Sequence, residues 1–297
     1  MNNDYHQRRA GLILGSFTAD ALSLGVHWIY DTAQLYQKFG YVSSYHAPGA
    51  DSYHPKKQAG EQSHVGDQAL CLAAYLKRNQ KWEAASFMQD WIDMWSSYGD
   101  YFDHATKATL QNIEDGLPAT AAASHSQELA GAARSAPLIA LMADQSEADC
   151  VAACVEQTLL THTSEASQEA ATFLASAGHR LVHGAALEST LRETAPKWAL
   201  LKAESVRALD AVEAVAKLGQ SCPIAAALPA VIYLALKHGD DLPKAFSENA
   251  MAGGDNCTRA LALGLLLGAA RGEAAIPQEW KDGLIAKDTI TAPGQKL

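Results

Sequence analysis

The stretch "GGDNCTRALALGLLLGAARG", residues 253–272, sets two glycines and a run of acid, amide, thiol and hydroxyl side chains ahead of a short apolar segment. Alanine and leucine dominate that segment and proline is absent, so it reads as a helix. Asp255, Asn256, Cys257 and Thr258 then admit two readings. They cap the helix, with Gly253 and Gly254 supplying the turn. Alternatively, they are the oxygen and sulfur donors of a site, with free amides at the helix start able to hold a hydroxyl or a phosphate.

The rest of the chain is consistent with a helical body. The protein has 297 residues, 48% of them hydrophobic, which is enough for one large globular domain spanning 1–297. β-Branched residues and prolines are sparse and no strand-like alternation runs for any length. Helical patterns cover 8–25, 67–79, 82–98, 103–116, 126–143, 146–162, 164–184, 203–219, 223–239 and 242–253. In the first of these, Gly11, Gly15 and Ala19 recur every four residues, so another helix can approach closely and this helix is expected to be central. Residues 31–63 break the pattern with Gly, Pro, Ser, His and Tyr and read as a long loop of the kind that carries function. The fold class expected is all-α, a single orthogonal multi-helix bundle.

The formal net charge is −10 and no Lys/Arg cluster stands out. That argues against nucleic acid and anionic membranes as partners, while leaving room for a phosphate-bearing small molecule. Five scattered cysteines without a C-x-x-C pair point to a reducing compartment. Cys150 and Cys154, one turn apart, are expected on one helix face. The start "MNNDYHQRRAGLIL" lacks a signal-peptide pattern and 259–270 is too short to span a bilayer, so a cytoplasmic protein is expected.

Four stretches set polar residues where an apolar helix begins or ends. Asp20 sits in "SFTADALSLGVHWIYD", where a buried carboxylate needs a partner. "GEQSHVGDQALCL" carries Glu61, His64 and Asp67. "ELAGAARSAPL" carries Gly131 and Arg134. The fourth is Gly253–Thr258. Asp20 with Arg134 is one conceivable ion pair. His27, Trp28 and Tyr30 are either loop anchors or a wall for a base or sugar. His162 reads as a helix-junction residue, and His179 and His183 as surface or helix C-terminal residues.

In order and spacing these segments resemble the ADP-ribosylglycohydrolases, an all-α family that removes ADP-ribose from modified side chains with two magnesium ions. "ADALSLGVH" resembles the family's G-D-A-x-G segment, "HVGDQALCLA" stands where the family has T-D-D-T, and "GAARSAPL", "LLTHTSEA" and "GGDNCT" match further segments. The departures are specific. Cys257 stands where the resemblance implies an acid, His64, Val65 and Gly66 where it implies Thr-Asp-Asp, and His27 where it implies Glu. Asp255 and Thr258 remain, and Asp67 substitutes for one acid only if the loop slips by a residue. The chain is similar in this to a divergent branch that includes certain eye-lens crystallins, and the "VHWIYD" run also resembles that branch.

No cofactor is therefore expected, since magnesium wants hard oxygen donors. Zinc held by His27, His64, Asp255 and Cys257 is the alternative. The resemblance implies a hydrolase of an ADP-ribosyl or related glycosidic bond, with Asp67 or Asp255 positioning water and His27 or His64 moving protons. Asp20, Trp28, Tyr30, Gly131, Arg134, Gly253, Gly254, Asn256 and Thr258 would line the ligand. The expected partner is a small nucleotide-sugar-like or sugar-like ligand, or an ADP-ribosylated target. A non-catalytic binder or structural, crystallin-like protein is the other reading.

Overall fold

The computed structural model describes residues 3–290, so the first two and last seven residues of the expected 1–297 domain lie outside the described residues. Seventeen α-helices make up the described chain. In order they are α1 (Asn3–Leu24), α2 (Thr32–Phe39), α3 (His64–Asn79), α4 (Ala84–Ser96), α5 (His104–Glu114), α6 (Ala130–Ala133), α7 (Ala136–Met142), α8 (Glu147–Leu159) and α9 (Glu165–Val182). They continue with α10 (Leu187–Thr194), α11 (Lys197–Ser205), α12 (Ala211–Leu218), α13 (Ile224–His238), α14 (Leu242–Met251), α15 (Asn256–Arg271), α16 (Gln278–Gly283) and α17 (Lys287–Ile290). Among the described residues the only β pairings are two isolated bridges, Ser124 with His162 and Glu128 with Pro223. No described helix is long and apolar enough to cross a membrane.

α1 and α15 form the centre. Both are buried over most of their length, and they meet through glycines. A Cβ on Gly264 would run into the backbone of Gly15 and Ser16, and one on Gly268 into Gly11 and Gly15. The four-residue spacing of small residues in α1 thus brings two backbones into contact, and Ser16 Oγ donates across the seam to the carbonyl of Leu261 at 3.0 Å.

Capping follows the sequence at several ends. Ser146 accepts from Asp149 N, Ser164 from Ser167 N, and Asp210 from Glu213 N. Cys150 and Cys154 are both buried in α8, and all five cysteines are free.

Four expected segments differ. The helix over 126–143 is broken into α6 and α7 at Arg134 and Ser135. Pro137 explains it: its ring lacks an N–H and clashes with the carbonyl four residues back, at Ala133, so a continuous helix cannot pass. The helix over 203–219 is the end of α11 and, after the cap at Asp210, α12. Within the 31–63 loop lies α2, capped by Asp31 Oδ1, which accepts from Ala33 N and Gln34 N at 3.0 Å each. α3 begins at His64 rather than at Asp67, because Ser63 is its cap and accepts from Gly66 N at 3.1 Å.

Candidate functional site

A cleft of about 230 Å³ opens where the Trp28–Tyr30 segment, the 40–63 loop, the start of α3, the start of α5 and the start of α15 converge. Its aromatic walls are Trp28, Tyr30, Tyr53 and Tyr101, and its polar groups include His64, Asp103, Glu128, Asp255 and Thr258. Tyr30 and Tyr53 are more than half exposed, so they stand at the mouth. Asp255 is only 2% exposed and forms the floor.

The glycine pair builds that floor. Gly253 and Gly254 both adopt φ of 66°, the left-handed region that glycine enters without strain. The turn is laced to the Trp28 segment by two backbone bonds, Trp28 N to Gly254 O and Gly254 N to Ile29 O, both 2.9 Å. Gly253 N donates to Ala250 O, Asp255 N to Gln220 O and Asn256 N to Gly254 O. Of the helix-start amides of Asp255–Thr258 expected to be free for a ligand, those of Asp255 and Asn256 are therefore consumed inside the protein, as are those of the two glycines. Buried Arg259 ties the same turn from below, donating to Gly253 O at 2.6 Å and to Asn249 Oδ1 at 3.2 Å.

Asn256 is fully buried. Its Nδ2 faces the carbonyls of Val26 and Ala250, and its Oδ1 lies 3.0 Å from His27 Nδ1. That amide orientation places the proton on His27 Nδ1 and leaves Nε2 with a lone pair. His27 Nε2 faces Asp255 Oδ1 at 3.8 Å, and neither atom has a hydrogen-bond partner. Burial pushes the Asp255 carboxyl above its ordinary value, opposed by the positive charge of Arg259. Burial pushes His27 down to about 3, so it is a neutral imidazole near pH 7.

Of the residues singled out in the sequence, Trp28, Tyr30, His64, Asp255 and Thr258 line the cleft. The others fall elsewhere. Asp67 faces a different pocket, with Leu70, Cys71 and Met94. It is held by Lys57 Nζ and Tyr98 OH, each at 2.5 Å, so it does not position water in this cleft.

Asp20 and Arg134 do not pair. Arg134 is fully buried and donates to Gln68 Oε1 and, at 2.5 Å, to Thr161 Oγ1. Gln157, with its amide oxygen toward the guanidinium, accepts from Nε at 2.7 Å. Gly131 packs on the ring of His162. Cys257 faces the backbone oxygen of Asp20, at 3.7 Å, and not the cleft. His179, read as a surface or helix C-terminal residue, lies in the last turn of α9, where it is buried and 3.1 Å from Gln145 O.

Asp20 accepts from Ser63 N at 2.8 Å and from Ser63 Oγ at 2.7 Å, which holds the cap of α3 in place. Burial raises its carboxyl from 3.8 to about 7 against those two donations. Between these values the folded chain keeps a proton that the unfolded chain has released, so this group's contribution to stability is lost as pH rises through the window. Asp20→Asn removes the contribution. Thermal melts from about pH 4 to about pH 7.5 should show wild type losing stability relative to the variant by up to ~1.4 kcal/mol per pH unit. Parallel curves for the two proteins would count against this account of Asp20.

Sequence reasoning missed His54, Tyr53, Asp100, Tyr101, Asp103 and Glu128. "DSYHP" lay inside a loop flagged only for its length, and Glu128 inside a pattern read as helix. Asp103 was legible only as a helix start, and it does cap α5 by accepting from Thr106 N at 2.6 Å.

A profile of the ADP-ribosylglycohydrolase family matches residues 1–297. The chain belongs to the ADP-ribosylglycohydrolase family. It is 25% identical to Crystallin J1A of Tripedalia cystophora over 307 residues, covering 94% of this chain and 93% of that protein. A solved structure described as an ADP-ribosylglycohydrolase-related protein complex superposes with a TM-score of 0.74 at 22% identity, over 97% of this chain and 96% of that one.

The magnesium pair that the family implies does not suit this ADP-ribosylglycohydrolase-family chain. At the substituted positions the structure presents imidazoles at His27 and His64, an apolar side chain at Val65, none at Gly66, and a thiol at Cys257 that faces away. Of the oxygen donors named for those motifs, Asp255 and Thr258 line the cleft. Two octahedral oxygen shells cannot be assembled from that set.

Proposed function

We propose that the cleft holds a sugar-like ligand, an ADP-ribosyl group or a smaller nucleotide-sugar fragment, and that the chain hydrolyses a glycosidic bond in it with its own carboxyl groups. The observation that carries this reading is the pair Asp255 and Glu128. Both line one aromatic-walled cleft, and burial raises both carboxyls above their ordinary values. Glycoside hydrolysis needs two carboxyl groups across the scissile bond, one protonated to donate to the leaving oxygen. Glu128 is the donor in this reading, with the Cys222 thiol 3.3 Å from its Oε1. Asp255 orients the attacking water and its carboxylate accepts the water's proton. The cleft's volume lies below the ~300–1,000 Å³ of drug-sized pockets, which favours one ring enclosed and the remainder of the ligand at the tyrosine-lined mouth.

The test begins with thermal shifts against ADP-ribose, ribose phosphates and nucleotides, because a ligand stabilises in proportion to its binding to the folded chain. Release of ADP-ribose from a modified peptide follows, with Asp255→Asn and Glu128→Gln each expected to lower turnover roughly 10²–10³-fold. The similarity to Crystallin J1A, together with imidazoles where the family's acids would stand, favours a second reading, a non-catalytic structural protein. Silence of the folded protein across the whole ligand panel would support that second reading and remove the first.

A further inference from the structure

Behind Trp28 three histidines from three separate segments meet. His27 follows α1, His54 comes from the long loop, and His64 opens α3. All three are buried, and one ring nitrogen from each lies within 4.8 Å of those of the other two. Their ring centroids form a near-equilateral triangle of 5.3, 5.7 and 6.1 Å sides. The indole of Trp28 lies 4.1 to 5.6 Å from each ring and shields the cluster.

The polar atoms here are unspent. His27 Nε2, both nitrogens of His54, His64 Nδ1, Asp100 Oδ2 and Asp255 Oδ1 are buried without a hydrogen-bond partner. A buried group in that state costs roughly 1–3 kcal/mol, and six in one place call for a common partner. A cation would answer the lone pair of His27 Nε2 and the oxygen of Asp255 at once. Asn256 forces the His27 proton onto Nδ1, so His27 Nε2 offers a lone pair toward another acceptor, Asp255 Oδ1.

The surroundings match what ligating imidazoles require. A metal-bound histidine gives its other nitrogen to an amide, carbonyl or carboxylate. His27 gives Nδ1 to Asn256 at 3.0 Å, Asp100 stands 3.6 Å from His54 Nδ1, and Asp103 stands 3.7 Å from His64 Nε2.

We propose that His27, His54 and His64 bind one borderline divalent metal ion, Zn²⁺ first among them, with the Asp255 carboxylate as its anionic neighbour. Three imidazoles suit zinc and its borderline relatives and do not suit magnesium. Three donors at most 4.8 Å apart fit on a circle of about 2.8 Å radius. A Zn–N bond is ~2.0–2.1 Å, so closure requires each nitrogen to move inward by less than about 1 Å. His64 and Asp255 also line the cleft, so one side of the ion would face the ligand space. The proposed ligand set replaces Cys257, which faces Asp20, with His54. It stands independently of the glycosidic reading, because metal uptake needs no substrate.

The test uses the full-length chain made without a histidine tag and purified without chelator. Elemental analysis should find close to one zinc per chain. After chelation, calorimetric titration should restore one tight zinc site, with magnesium failing to compete. His54→Ala should weaken zinc binding 100-fold or more, and Asn256→Ala about 10–100-fold through the His27 orientation. In case His54→Ala does not fold, cobalt added to the chelated wild type supplies the second readout: visible ligand-field bands from nitrogen coordination. Zinc bound equally well by a folded His54→Ala variant, absence of those bands, or displacement of zinc by magnesium overturns the site. A chain that binds zinc but no sugar-like ligand would sink the glycosidic reading and leave the metal site intact.

Discussion

Gly264→Ala is expected to destabilise the protein by about 3 kcal/mol or more, lowering Tm by roughly 5 °C or more for a chain of this size. The sign makes the experiment informative. In an exposed helix the same change stabilises by nearly ~1 kcal/mol, because alanine is the better helix former. Here the new methyl would strike the carbonyl of Gly15 and the Cα of Ser16, and those atoms belong to the backbone of a buried helix that cannot turn aside. Relief requires α1 and α15 to separate, which opens the central seam and strains the Ser16–Leu261 bond. Circular-dichroism melts of wild type and variant decide the matter, and a Tm equal to or above the wild type's would refute the close approach.

Arg134→Ala should lose roughly 3–5 kcal/mol of stability, from three abandoned buried acceptors and the cavity left behind. The guanidinium is fully buried, and burial lowers it from its ordinary value to about 10. Neutral groups hold it. Gln68, Thr161 and Gln157 all accept from it. Gln68 also accepts from Trp91 Nε1 at 3.0 Å and donates to Asp103 Oδ2 at 3.2 Å, so one network joins α7's entry, α3, α4 and the cap of α5. Denaturant unfolding of Arg134→Ala measures the loss. The result that would restore Arg134 as a ligand contact is weakened ligand binding with unchanged stability.

How much could be read without the structure differs between the body and the site. Local signals sufficed for most helices because they act over three or four residues. Serine caps at Ser146 and Ser164 behaved as their chemistry requires, whereas the Asp210 cap lay hidden inside the pattern read as one helix over 203–219. The helix break at Pro137 is a local signal too, although the apolar run over 126–143 masks the ring's clash with the carbonyl of Ala133. The family itself was legible in "GAARSAPL" and "GGDNCT", since motif spacing survives where ligands have changed.

The site was only half legible. Trp28, Tyr30, His64, Asp255 and Thr258 stood out because each sits in a motif beside a helix end, and they do line one cleft. Asp67 and Arg134 stood out on the same grounds and point elsewhere, since position along a helix says nothing about which neighbour claims the side chain first. Lys57 and Tyr98 claim Asp67, and Gln68, Thr161 and Gln157 claim Arg134.

The sequence by itself determined that the chain is helical, that α1 can touch another helix backbone to backbone, and that imidazoles and a thiol stand where the family resemblance implies acids. Those properties reside in composition, short-range periodicity and the identity of single residues. Only the tertiary structure decided that His54, from a loop with no motif of its own, joins His27 and His64. Only it showed that Asn256 sets the tautomer of His27 and that the amides of the glycine turn are already spent. The two histidine facts depend on atoms separated by ten to more than two hundred residues of chain, and in the turn the amides of Gly254 and Asp255 go to the distant Ile29 and Gln220, where local pattern carries no information and packing of the buried body does.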